Sequence, residues 1–194
     1  PAVPGARAIA RGRVDQEFKS YFIAHKDAGI TPSDSFPKDL AGKTFSFGSR
    51  SSTSGRLMPE YWIRQETGKS PQELFAGEEM SFSGDHSQTA TLVNVGTFDA
   101  GVLNYKVYEA MVAEGKIDPA VCVKVWETPP YPDYNWTAHP DLGEELIGKL
   151  QAALIRMTDP ALLRAAQRPE GIIEASNEDF APLERIAREL NLMR

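Results

Sequence analysis

The chain has 194 residues, of which 41% are hydrophobic and 25% are charged, a balance typical of a globular protein. Its formal net charge of −6 disfavours nucleic acids and anionic membranes as partners that bind through bulk charge. A single cysteine excludes a disulfide framework, and with only three scattered histidines the sequence predicts no metal site and no cofactor.

Strands and short helices alternate through the middle of the chain. Residues 1–17 have no apolar period and are predicted to form a tail, and alternating apolar side chains predict a strand over 18–24. A short helix is predicted between Ser35 and Gly42. The elements predicted next are a strand over 43–47, a helix from about residue 54 to Gly68, a helical turn over 71–75, a strand over 80–82, a helix over 86–94, a strand over 98–103, a helix over 105–114 and a strand over 121–126. This alternation predicts an α/β sheet with parallel pairs, in which ligands lie where strand ends meet helix starts.

Two amphipathic helices are predicted near the end of the chain. The first has Asp141 as its predicted cap and an apolar face that includes Leu146 and Leu150. The second has Ser176 and Asp179 as its predicted cap pair.

The run from Gly48 to Gly55 is the strongest local signal for a binding site. A strand ending at Gly48 and a helix beginning near Ser54 would direct backbone N–H groups and the positive end of the helix dipole at this turn. Ser52, Thr53 and Ser54 add hydroxyl donors that can rotate toward an oxyanion. Such a site binds a small anion without a positive surface. These residues alone are equally compatible with one hydroxyl capping the helix and the others facing solvent.

Two further residues are candidates for the same site. His86 follows a short strand at a helix start, where an imidazole can donate to an anion; an ordinary helix-entry histidine with Asp85 as cap is the alternative. Asp133 follows a proline-rich loop, and beside an anion it would require a ligand that carries a proton for it to accept. The alternative interpretation of Asp133 is an ordinary aspartate in a turn after proline. Ser54, His86 and Asp133 could also be interpreted as a hydrolase triad, but no G-x-S-x-G elbow surrounds any serine of the sequence.

Taken together, these segments resemble PhnD-type substrate-binding proteins, the periplasmic components of phosphonate, phosphite or phosphate ABC importers. The resemblance covers about residues 18–159 and rests on four segments: 52–55 (Ser-Thr-Ser-Gly) followed by Pro59, 84–86 (Gly-Asp-His), 99–105, and 132–133 (Pro-Asp). It implies a type II periplasmic binding fold with two α/β lobes and a ligand cleft between them. It also implies oxyanion contacts from Ser52, Thr53, Ser54, His86 and Asp133.

The resemblance implies how the chain is divided. The family's first-lobe segment has no counterpart and the chain begins at Pro1, so we expect an N-terminally truncated α/β protein. It would contain one complete lobe with a mixed parallel sheet and part of a second lobe. The expected parts are a tail and lobe-crossing strand (1–24), an anion-binding lobe (25–130), and a hinge return with the C-terminal helices of the incomplete lobe (131–194). Uncovered edges and apolar faces would favour self-association.

The function implied by the resemblance is capture of a phosphonate, phosphite or phosphate without chemistry. It implies an ABC permease as partner, no nucleic acid, no enzymatic activity, and a periplasmic or lipid-anchored extracellular location. Tyr105 and Lys106 follow Asn104 where an aminoalkylphosphonate binder places an acidic residue, which argues against an aminophosphonate. Two alternatives stay open: the effector-binding domain of a transcription regulator, which shares this fold, and a small serine hydrolase that uses Ser54 and His86.

Overall fold

A computed structural model describes residues 3–193, which fold as two compact units. One unit is Lys19–Pro129, and the other combines the chain before Lys19 with the chain after Pro129. None of the helices within the described residues is both long enough and apolar enough to cross a bilayer.

The structure contains eight strands and seven α-helices within the described residues. The strands are β1 (Arg7–Gly12), β2 (Ser20–His25), β3 (Phe45–Phe47), β4 (Ser81–Phe82), β5 (Ala100–Asn104), β6 (Cys122–Glu127), β7 (Trp136–Ala138) and β8 (Ile172–Glu174). The helices are α1 (Met58–Thr67), α2 (Pro71–Leu74), α3 (His86–Asn94), α4 (Tyr105–Ala113), α5 (Gly143–Ile155), α6 (Pro160–Ala165) and α7 (Ala181–Glu189). A π-helical turn, Thr53–Leu57, runs directly into α1.

The unit Lys19–Pro129 is built on a five-stranded mixed sheet in the order β4-β3-β5-β2-β6. β3 is parallel to β4 and β5, whereas β2 is antiparallel to β5 and β6. The strand predicted over 18–24 is observed as Ser20–His25, which pairs on both sides within this sheet. Because β3, β4 and β5 run the same way, their carboxyl ends lie at one edge of the sheet.

Both faces of this sheet are covered, which explains its almost continuous apolar strands. Neighbouring residues Phe22 and Ile23 are both fully buried, and they belong to separate core clusters. A Cβ atom at Gly101 would lie 2.8 Å from the Thr89 side chain and 2.9 Å from the Ser46 carbonyl oxygen. Glycine therefore allows α3 to pack closely on β5.

The other unit has a three-stranded antiparallel sheet in the order β7-β1-β8. The prediction of a tail over residues 1–17 is wrong for Arg7–Gly12, which forms the central strand of this sheet with Ile9 and Ala10 buried. Arg7 and Arg11 pair with Glu144 and Asp179. The sequence did not predict this strand, because its small residues and arginines give no apolar alternation. Its partner strands lie more than 120 residues away along the chain.

Several predicted boundaries differ from the structure in informative ways. The helix expected between Ser35 and Gly42 is a single 3₁₀ turn, Lys38–Leu40. Asp141 does not cap α5 through its side chain, and its N–H donates instead to His139 Nδ1. Ser176 and Asp179 do form a capping box, but it caps the 3₁₀ turn Asn177–Phe180 that precedes α7.

The apolar face predicted for α5 is only partly buried. Ile147 is 3% exposed, whereas Leu146 and Leu150 are 44% and 40% exposed. The face of α5 that packs on β1 and β8 is thus narrower than the sequence pattern indicates.

Candidate functional site

Three helix starts follow the carboxyl ends of the three parallel strands. The chain leaves β3 and enters the π turn at Thr53, leaves β4 and enters α3 at His86, and leaves β5 directly into α4 at Tyr105. The first N–H groups of a helix have no partner within the helix, and the helix dipole places partial positive charge there. This edge therefore combines the features of an anion-binding site.

In the hydroxyl-rich turn, one hydroxyl group caps the helix and the others are free donors. Ser52 Oγ accepts a hydrogen bond from the Gly55 N–H at 2.9 Å, so this serine is the cap. Ser54 is buried, and its carbonyl oxygen accepts a hydrogen bond from Ser20 Oγ at 2.7 Å. Within the described residues, the N–H and hydroxyl groups of Thr53 and Ser54 have no hydrogen-bond partner. They are therefore available to a ligand.

Two glycines let the turn, the helix start and His86 approach one another. A Cβ atom at Gly55 would lie 3.0 Å from both His86 Cε1 and Ser52 Oγ and 3.1 Å from Gly48 Cα. The Gly48 N–H also donates to the Gly55 carbonyl oxygen at 2.9 Å. From the sequence, Gly48 was predicted only as a strand end and Gly55 only as part of the Ser-Thr-Ser-Gly segment, although glycines on both sides of a hydroxyl-rich run are the signal for a close approach.

His86 is held as a neutral donor. Its Nδ1 accepts a hydrogen bond from the Asn104 N–H at 3.3 Å, so the neutral ring carries its proton on Nε2. Burial lowers the pKa of His86 below its ordinary value of 6.5, and the nearby charge of Asp85 opposes this shift. No described residue accepts a hydrogen bond from Nε2, which leaves this N–H for a ligand.

Asp85 has the capping role that the alternative interpretation of this segment assigned to it. Its Oδ1 accepts a hydrogen bond from the Gln88 N–H at 2.8 Å, at the start of α3. Capping by Asp85 leaves His86 as the first residue of α3, so the cap and a ligand-facing histidine are compatible.

Two polar residues that the sequence analysis did not assign to the site support it. Ser83 Oγ contacts the Phe47 carbonyl oxygen at 3.1 Å and Thr89 Oγ1 at 2.7 Å, joining the end of β3 to α3. Asn104 caps α4, because its Oδ1 accepts hydrogen bonds from the N–H groups of Lys106 and Val107. The cap contacts of Asn104 are local, and Asn104 directly precedes the helix predicted over 105–114, whereas the contact of Ser83 with Phe47 is set by the tertiary fold.

The fifth predicted site residue lies in the other unit. Asp133 is 9% exposed, and its N–H donates to the Asp15 carbonyl oxygen at 3.0 Å. Ser52, Thr53, Ser54 and His86 thus lie together at one sheet edge in the unit Lys19–Pro129, and the part of Asp133 stays a prediction.

The described part of the chain contains no group of three or more His, Cys, Asp or Glu side chains that could hold a metal ion. Cys122 is fully buried, and burial raises the pKa of its thiol to about 12. At neutral pH this thiol is protonated and unreactive.

Comparison with known sequences places these features in a family. Residues 2–180 match the family described as "ABC transporter, phosphonate, periplasmic substrate-binding protein". The chain is 34% identical to a probable ABC transporter phosphite-binding protein, PhnD1, from Prochlorococcus marinus, over 98% of this chain and 67% of that protein. It is 30% identical to the phosphate-import protein PhnD from Mycolicibacterium smegmatis, over 77% of this chain and 49% of that protein.

Comparison with solved structures gives the same result. The structure of PhnD1 from Prochlorococcus marinus in complex with methylphosphonate matches with a TM-score of 0.88 at 33% identity, covering 98% of this chain and 73% of that one. The chain spans about two thirds of the first relative and about half of the second. The predicted type II periplasmic binding fold is confirmed. The chain belongs to the family of periplasmic substrate-binding proteins of phosphonate ABC transporters.

Proposed function

We propose that this chain captures a small phosphorus oxyanion as the solute-binding component of an ABC importer. The observation that carries the proposal is the group of uncharged donors at one sheet edge: the free N–H and hydroxyl groups of Thr53 and Ser54, and the Nε2–H of His86. A tetrahedral oxyanion accepts several hydrogen bonds at once, and helix starts supply them without a formal positive charge. The relatives support this ligand class, since one is named for phosphite binding and was solved with methylphosphonate, and another is named for phosphate import.

Each predicted site residue has a role in this proposal. Ser52 fixes the turn by capping, and Thr53 and Ser54 donate to the ligand oxygens. His86 donates through Nε2, while Asp133 accepts the proton of an acidic ligand hydroxyl. Inorganic phosphate, phosphite and a simple alkylphosphonate all fit these roles.

The family also supports a proposed partner and a proposed location. Members are components of ABC transporters, which supports a permease as the partner of the loaded chain and the periplasm, or the outer face of a membrane, as its location. Binding and release then leave the ligand unchanged, and the chain is not an enzyme.

The geometry disfavours the serine hydrolase alternative. A serine nucleophile needs a histidine nitrogen within hydrogen-bond reach of its hydroxyl. His86 Nδ1 already accepts the Asn104 N–H, and no hydrogen bond joins Ser54 to the ring within the described residues. The Ser52 hydroxyl is occupied as a cap.

Calorimetric titration with phosphate, phosphite and methylphosphonate tests the proposal, with sulfate as the comparison anion. We expect saturable heat with at least one phosphorus oxyanion and a loss of affinity of at least about tenfold in the Ser54→Ala variant, because a hydrogen bond to a charged group is lost. Absence of heat with all three ligands would overturn the ligand class.

A second titration tests the part of Asp133. The Asp133→Asn variant should weaken binding of a ligand that carries an acidic hydroxyl more than binding of one that carries none. Equal effects on both ligands would remove Asp133 from the site as a proton acceptor.

A further inference from the structure

Two arginine side chains lie against Phe82, four residues before His86. The guanidinium carbon of Arg50 is 4.4 Å from the centre of the Phe82 ring, and that of Arg56 is 5.3 Å away. Guanidinium groups at these distances are attracted to the face of an aromatic ring. Arg50 belongs to the hydroxyl-rich turn and Arg56 to the π turn, so one ring contacts both segments.

A buried carboxylate forms an ion pair with one of these arginines. Glu60 is only 4% exposed, and its Oε2 lies 3.6 Å from Arg56 Nε. Its other oxygen accepts a hydrogen bond from Arg64 Nη2 at 3.0 Å. A buried carboxylate needs compensating charge, so Glu60 restrains the Arg56 guanidinium from one side while Arg64 completes the pairing at the surface.

The restrained guanidinium reaches back to the turn. Arg56 Nη1 donates a hydrogen bond to the Arg50 carbonyl oxygen at 2.9 Å, two residues before the cap Ser52. This bond links the helix to the backbone of the turn that carries Thr53 and Ser54. A lysine could supply the charge but not the planar fork that meets a carboxylate, a carbonyl and a ring together.

We propose that Arg50, Arg56, Phe82 and Glu60, named here the Phe82 clamp, hold the hydroxyl-rich turn and the His86 segment at a fixed separation. The proposal rests on the proposed function, because it makes Arg56 a positioning residue for the anion-binding donors. In this proposal the Arg56 guanidinium acts through its contacts with the turn, Phe82 and Glu60. Donors that are already in place bind an anion more tightly, because no ordering is required on binding.

The test compares Arg56→Met and Arg56→Lys with Arg64→Met as the matched control. Arg64 is the other partner of Glu60, and within the described residues its side chain makes no hydrogen bond, ion pair or ring contact with the turn. We expect Arg56→Met to bind phosphite, phosphate or methylphosphonate about tenfold more weakly, as expected for loss of pre-organisation, and Arg64→Met to change affinity by less than about twofold. Equal losses in the two methionine variants would overturn the proposal.

The kinetics separate positioning from attraction by charge. Removal of a charge that attracts the ligand slows association in a salt-dependent way, whereas loss of positioning speeds dissociation. We expect faster dissociation in both Arg56→Met and Arg56→Lys, with the salt dependence of association unchanged. Recovery of wild-type kinetics by lysine would show that Arg56 acts through its charge and would overturn the positioning role.

Amide hydrogen exchange without any ligand gives a readout that does not depend on the proposed function. We expect Arg56→Met to speed exchange in residues 49–57 and to leave β2 and β5 protected. If the wild type binds none of the three anions while exchange still changes in this way, the proposed function fails and the clamp stands. Unchanged exchange refutes the clamp. If Arg56→Met does not fold, the double variant with Glu60→Gln removes the uncompensated carboxylate and provides the same comparison.

Discussion

Replacement of Gly55 by alanine tests how closely the three segments of the site approach one another. The added Cβ atom would meet His86 Cε1 and Ser52 Oγ at 3.0 Å and Gly48 Cα at 3.1 Å, shorter than ordinary van der Waals contact. Gly48 Cα cannot easily retreat, because the Gly48 N–H is bonded to the Gly55 carbonyl oxygen. The Ser52 hydroxyl and the His86 ring are held by their own hydrogen bonds.

The expected magnitude is a balance of two effects. Overpacking of a close-packed site costs about 1–3 kcal/mol, and alanine recovers up to about 1 kcal/mol over glycine in a helical turn. With the full alanine gain subtracted, we expect the free energy of unfolding of Gly55→Ala to fall by up to about 2 kcal/mol. Since His86 and Ser52 must move by a few tenths of an ångström, we also expect anion affinity to fall by at least about tenfold, because donor geometry changes.

Urea unfolding and calorimetric titration of the same variant measure the two effects. The matched control is Gly148→Ala in α5, where the added Cβ atom meets nothing within 4 Å. This control should gain up to about 1 kcal/mol of stability and bind the anion as the wild type does. A Gly55→Ala variant with wild-type stability and affinity would refute the described close approach.

Three further outcomes concern side chains at the same sheet edge. Because the pKa of His86 is lowered only in the folded chain, the unfolded chain takes up this proton first, so stability should fall as the pH drops below 6.5. In urea unfolding below pH 6.5, the free energy of unfolding of the His86→Gln variant should therefore fall less with decreasing pH than that of the wild type. Ser52→Ala should lower the free energy of unfolding by about 1 kcal/mol and Ser52→Gly by only about a few tenths, and equal losses would contradict its role as a cap. Asn104→Ala should cost about 1 kcal/mol through loss of the α4 cap while leaving the backbone N–H bond to His86, so ¹⁵N spectra should still show the Nε2–H tautomer.

Helix ends at the site were predictable because their signals are local. The helix α3 has the predicted bounds, since Asp85 caps it and a short strand precedes it. The predicted helix end at Gly68 is confirmed, and Gly68 has a positive φ of 68°, the conformation in which glycine commonly ends a helix. Such signals need only a few neighbouring residues.

Contacts between distant residues could not be predicted in the same way. The choice of Ser52 rather than Ser54 as cap follows from the π turn, which depends on how the turn packs. The bond between Asn104 and His86 joins residues 18 positions apart and exists only because β5 and α3 meet at the same edge. The strand Arg7–Gly12 was missed because its partners in β7 and β8 are remote in the sequence.

The donors of Thr53, Ser54 and the neutral His86 ring are uncharged, which makes ligand release sensitive to small displacements. Hydrogen bonds from Thr53, Ser54 and the neutral His86 ring weaken steeply with distance and misalignment, whereas attraction to a fixed cation would persist over several ångströms. A small shift of one helix start would therefore be enough to lower the affinity sharply. A site of this kind can hold its ligand firmly and still give it up after a modest displacement, without any charge having to be neutralised.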